Sequence, residues 1–286
     1  MATTAFGDKE GRQSPTRSVR SLAYSGRGNS ELAPKPDGQE TSMHRLERRA
    51  DAPIRRSEST IEISPSTITR LCVRAAAVLV LMSALILALR VFTGHGRLLG
   101  FGAMFDVVKE SNIPTWFSSV LLLLCSLLLW IASRSEASPT ARYWRALAVI
   151  FLVMSMDETA MLHERIGGAL QELFGPGIFE DLGFVVPGAA IVLITAVVFL
   201  RFVLSLPAQT RRLIILAGAL YGMGACGMEA VSRGWAAQHS PALPQYALLA
   251  SIEEALEFSG LLVFIHALTT HLDRHAPDLR IAIRGA

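Results

Sequence analysis

The sequence predicts an all-α protein, a polytopic bundle of six transmembrane helices behind a disordered N-terminal tail. Three observations carry that expectation. Of the 286 residues, 51% are hydrophobic and the mean hydropathy is positive, which is too apolar for an ordinary water-soluble domain. The apolar residues gather into six runs, each near the roughly 20 residues an α-helix needs to cross a bilayer. Basic residues are rich in every second connection and poor in the others. The chain divides accordingly into a cytoplasmic tail over 1–68, the bundle over 69–272 and a short cytoplasmic C-terminal tail over 273–286.

The tail is polar, rich in Ser, Thr, Arg, Pro and Gly, with almost no hydrophobic periodicity. Such a segment buries too little apolar surface to offset its ordering entropy. No apolar core lies near Met1, so a signal peptide is not expected. Arg45, Arg48, Arg49, Arg55 and Arg56 read as a solvated topology signal, or as contacts to anionic headgroups. The net charge is +3 and the basic residues are spread along the chain, which argues against nucleic acid as a partner, since that needs a clustered basic face.

The six runs cover residues 71–92, 116–132, 144–163, 184–206, 212–231 and 246–270. Phe92, Trp116, Trp130, Trp144, Trp235 and Tyr246 lie near their ends, as an interfacial aromatic belt does. Pro187 comes early in the fourth run, where a helix tolerates it, and that run is otherwise uniformly apolar scaffold. The fifth holds Gly218 and Gly222, four apart, a spacing that lets a neighbouring helix approach closely.

Orientation follows from Arg and Lys counts. The tail is Arg-rich, the second connection carries Arg134, Arg142 and Arg145, the fourth Arg211 and Arg212 with Arg201 just before, and the C-terminus Arg274, Arg280 and Arg284. The odd connections hold only Arg97 and Lys109, then Arg165, then Arg233. Both termini are therefore expected in the cytoplasm and the odd connections outside. In the first outer connection, Glu110 and Asn112 precede Ile113-Pro114-Thr115-Trp116. They read as a helix cap with an interfacial anchor, or as groups folding over the outer face of a site. In the second, Leu170, Leu173, Phe174 and Phe179 suggest a short amphipathic surface helix. Cys72, Cys125 and Cys226 each fall in an apolar run. Odd in number and far apart, they fit small apolar side chains better than a disulfide framework or a zinc knuckle.

Function is expected where charge interrupts these runs. The third carries Asp157, Glu158, His163 and Glu164; the fifth carries Glu229; the sixth carries Glu253, Glu254 and Glu257. With the third and fifth spans running outward and the sixth inward, Asp157 lies roughly 10 Å below the outer surface and the sixth-span acids roughly 8 to 17 Å below it. Three helices separate in sequence thus bring acids to one depth. Asp157 and Glu164, seven apart, are expected on one helix face, and Glu253 and Glu257, four apart, on another. Like charges this close in a low dielectric cannot all ionise, so a bound cation, shared protons or a basic partner such as Arg165, Arg233 or His163 must compensate.

Three readings follow. In the first, several of these acids with His163 bind one or two divalent metals, giving a metal-dependent membrane hydrolase or metal-binding protein acting on a lipid or small solute. In the second, they carry protons or cations in a transporter. In the third, they are structural groups that hold helices together. The first leads here, because no internal repeat of the transporter kind is visible. His266 and His271 read as interfacial or packing residues. The segments Glu110-Ser111-Asn112-Ile113-Pro114-Thr115-Trp116-Phe117, Ser155-Met156-Asp157-Glu158 with His163-Glu164, and Ile252-Glu253-Glu254-Ala255-Leu256-Glu257 resemble those of an uncharacterised group of bacterial multi-pass membrane proteins, over residues 70–270. The resemblance implies a bacterial plasma-membrane setting and no particular activity.

Overall fold

The computed structural model describes residues 65–93, 102–106, 111–136, 139–175, 183–240 and 243–275, all within the unit Glu58–Ala286. Residues 1–64 of the N-terminal tail, Glu110, Phe179 and residues 276–286 of the C-terminal tail lie outside these residues, whereas 65–68 and 273–275 belong to helices rather than to tails. The described part is helical: α1 (Pro65–Thr93), α2 (Ile113–Ser135), α3 (Thr140–Ala160), α4 (Leu162–Phe174), α5 (Val185–Ser205), α6 (Ala208–Gly222), a π segment (Met223–Met228), α7 (Glu229–Ala236) and α8 (Pro244–His275).

Among the described residues, four helical stretches are long and apolar enough to cross a membrane: Ser66–Thr93, Ile113–Ser135, Val185–Ser205 and Ala208–Ala236. A fifth joins them if α3 and α4, bent by 75° at their junction, count as one span. Four or five such spans stand where six apolar runs were expected. The sixth run falls within α8, which touches α1, α2, α6, the π segment and α7.

Local sequence explains the elements. Asn112 caps α2 as the sequence suggested: its side-chain oxygen accepts from the Thr115 amide at 3.1 Å, and its amide donates to the Asp106 carbonyl at 2.7 Å. Pro114 follows in the first turn, where its missing N–H costs nothing. α2 and α3 form an antiparallel hairpin seamed by small hydroxyls. Ser119 and Ser155 each donate to the other's carbonyl at 2.8 Å, and Ser126 donates to the Ala148 carbonyl at 2.7 Å. Short side chains of this kind let helix backbones approach while satisfying their own hydroxyls.

α8 runs antiparallel to α3, as the Phe151–Phe264 stack and the Trp144–His271 contact show. It also runs antiparallel to α6. The core between them is Leu121, Leu122, Leu129, Leu261, Ile265 and Leu268. Outward, Ile191, Leu193, Ile194, Val197 and Val198 of α5 are more than half exposed. A soluble surface does not carry such a band, and lipid accepts it.

Three expectations need correction. Trp144 is not an interfacial anchor: it is fully buried, edge-on to Phe202 with ring centroids 5.0 Å apart. The close helix approach does not use Gly218 or Gly222, which have open space where a Cβ would stand. It uses Gly260, whose Cβ would lie 2.7 Å from the Tyr221 amide nitrogen, and Gly224, whose Cβ would lie 2.9 Å from the Glu253 carbonyl oxygen. Spacing along one helix shows which residues share a face, whereas the neighbour's position selects the face used. Finally, the third run is not one helix through His163: it stops at Ala160, and the amphipathic surface helix begins at Leu162.

Candidate functional site

The break sits at Met161, in the left-handed conformation at φ 54° and ψ 42°. Its amide closes α3 on the Asp157 carbonyl at 2.7 Å. The Asp157 side chain then reaches across the break: one carboxylate oxygen accepts the His163 backbone N–H at 2.7 Å, and the other lies 3.1 Å from His163 Nδ1. Asp157 thus caps α4 from the preceding helix. This elbow redirects two candidate residues. Asp157 and His163 engage each other, and Glu164, the acid in the first turn of α4, is exposed. The seven-residue spacing of Asp157 and Glu164 does not put them on one face, because the 75° bend falls between them.

The carboxylate that α3 does send inward is Glu158, which lies beside the buried Ser118 hydroxyl and next to Asp157. Across from it is Glu257 of α8. The groups facing Glu257 are Glu254, Glu158, Glu253 and Glu229, from α8, α3 and α7. The Tyr221 phenol, at the end of α6, is faced by Glu257, Glu158, Glu254 and Asp157. The π segment makes this level possible: Gly224 lies against Glu257 Cγ, so no larger side chain separates the two helices. The extra residue in a π turn widens the helix locally and is frequent at functional positions.

Toward the rim, Glu253 meets the Glu229 carboxyl in a hydrogen-bonding contact. Ser232 donates to Glu253 at 3.3 Å. Arg233 pairs with Glu229 one turn on and also faces Tyr246 and Glu164. Its guanidinium packs under Gly183, where a Cβ would come within 3.1 Å of Nη1.

The seven candidate acids and His163 therefore divide. Glu158, Glu253, Glu254, Glu257 and Glu229 form one group, Asp157 and His163 latch the elbow, and Glu164 stands on the rim with Arg233. Asn112 serves as a helix cap, and Glu110 lies outside the described residues. Sequence reasoning did not select Tyr221, Ser118 or Ser232. Tyr221 is the one aromatic residue in the fifth run, and that was the available signal for it. Among the described residues, no group of three or more His, Cys, Asp or Glu side chains is arranged to hold a metal ion, so the divalent-metal expectation finds no ligand set there. The five carboxylates have the hydroxyls of Ser118, Ser232 and Tyr221 beside them.

Fold and site together define a class: an all-α protein with several apolar helices of membrane-crossing length and a group of partly buried acids. The chain belongs to the family described as a domain of unknown function, DUF8692, matched over residues 71–272. No curated protein and no solved structure matches it.

Proposed function

We propose that this chain is a multi-pass membrane protein that moves protons, coupled to a small solute, through the carboxylates grouped around Glu257. The observation that carries the reading is the placement of Glu158, Glu229, Glu253 and Glu254 about Glu257. Acids pressed together in a low dielectric retain some of their protons, and acids at membrane depth mark ion and proton paths. Two irregular backbone stretches flank the group, the elbow at Met161 and the π segment. Discontinuous helices commonly build transporter sites.

In this reading α8 is the sixth span and both termini are cytoplasmic, supported by the alternation of basic residues between connections. The bacterial plasma membrane is its setting, on the strength of the sequence resemblance. The test is reconstitution of the purified full chain into liposomes containing a pH-reporting dye, with a membrane potential imposed. The native chain should admit protons. Glu257→Gln should lower that flux roughly a hundredfold, the low end of what a positioned proton-transfer group contributes. Equal flux through the native and Glu257→Gln proteins, both monodisperse, would sink the reading.

A further inference from the structure

We propose that the inner end of the bundle holds a second proton-binding site, built by His271 and Glu136 and roofed by Trp144. His271 stands in the last turns of α8 and is only 2% exposed, whereas His266, one turn earlier, is exposed. Each packed element contributes to the His271 surroundings. Glu136, just after α2, places a carboxylate oxygen 3.3 Å from Nε2. Thr210 of α6 places its hydroxyl 3.4 Å from Nδ1. Trp144 of α3 packs on the ring with centroids 5.1 Å apart. His275 of α8 stacks at 4.4 Å, with its Nδ1 at 2.9 Å from the His271 carbonyl.

The polar geometry is unfinished. Nε2 of His271 and Nε1 of Trp144 are buried without an aligned hydrogen bond. In the Nδ1–H tautomer, Nε2 is a bare acceptor facing a carboxylate, an arrangement that is costly when buried; in the Nε2–H tautomer the ring points its proton at Glu136 and Nδ1 is left to accept from the Thr210 hydroxyl. A proton on Nε2 turns the same contact into a charge-assisted hydrogen bond to Glu136. A ring protonated on both nitrogens faces the Glu136 carboxylate as an ion pair, so the site can hold one proton beyond the neutral ring.

Its place in the fold gives it a role. Glu257, Phe264 and His271 follow one another at seven-residue steps along α8, spanning about 21 Å. Between the ends, Phe151 stacks on Phe264 with centroids 4.8 Å apart, and Leu261, Ile265 and Leu268 are buried. The outer carboxylates and the inner His–Glu pair are thus two stations on either side of an apolar layer. The role as inner station rests on the proton reading of Glu257; the existence of the site does not.

The test uses the full chain in lipid nanodiscs with ¹⁵N-labelled histidine, and reads ring-nitrogen shifts between about pH 5 and 8, where imidazole normally titrates. His271→Gln assigns the signal. The His271 ring is expected to change protonation state over this range, and in Glu136→Gln, checked for an unchanged melting profile, to stay neutral throughout. A ring that keeps one protonation state in the native chain, or that titrates alike with and without the Glu136 carboxylate, overturns the second site. Proton flux is measured in parallel. Flux unaltered by Glu257→Gln while His271 still titrates with Glu136 would dismiss the outer station and leave the inner site standing.

Discussion

Gly224 and Glu257 touch so closely that a Cβ on the glycine would stand 2.7 Å from Glu257 Cγ, and 3.2 Å from its backbone nitrogen. One methyl group there must push α8 away or expel the glutamate. Gly224→Ala is therefore expected to destabilise the protein by about 1–3 kcal/mol, the usual cost of overpacking. Gly218→Ala, on the same helix with open space around it, should be neutral or stabilising by up to about 1 kcal/mol through helix propensity. Thermal melts in one detergent compare the two directly, and equal melting temperatures would contradict the close contact.

The elbow makes a second prediction. Asp157→Ala removes the acceptor of the His163 backbone N–H and should cost about 0.5–2 kcal/mol, as loss of a helix cap does. Asp157→Asn keeps an oxygen in place and should recover part of that. Hydrogen exchange at the His163 amide reads the effect locally. Protection unchanged in Asp157→Ala would show that the carboxylate does not hold the joint.

Arg233 supplies positive charge at the rim, where it pairs with Glu229. Both side chains keep a quarter to a third of their surface exposed, so water screens the pair and its loss should cost about 1 kcal/mol or less. The informative comparison is the double variant: Arg233→Gln with Glu229→Gln should be more stable than Arg233→Gln alone, because the second change removes the carboxylate left facing Glu253. A double-mutant cycle by thermal melting that shows no coupling would remove Arg233 from the acid group.

Topology is the fourth. Single cysteines introduced at Glu172 and in the N-terminal tail, in a background without the native three, should label oppositely in intact cells: position 172 from outside, the tail only after lysis. In the native chain, by contrast, Cys125, which has no exposed surface, should stay unlabelled by a membrane-impermeant reagent. Labelling of position 172 only after lysis would invert the arrangement.

Much of this was written in local sequence. Apolar runs near bilayer length, the Asn112-x-Pro114 start of α2 and an amphipathic helix around Leu170, Leu173 and Phe174 are decided within a turn or two of the backbone, where composition and periodicity act directly. The acids were legible too, because a carboxylate in an apolar run is conspicuous wherever the helix goes. What the acids do to one another depended on packing. The left-handed turn at Met161, closed by the Asp157 carboxylate, swings the following residues away by 75° and separates Glu164 from its expected neighbour. The acid that faces Glu257 is consequently Glu158. Likewise Gly224 rather than Gly218 meets α8, and Trp144 lies buried against His271 instead of at an interface. Helical periodicity determines which residues share a face. Only the three-dimensional placement of one helix against the next, set by volume and by the points where backbones meet, decides which face is used and which charges must share the same interior.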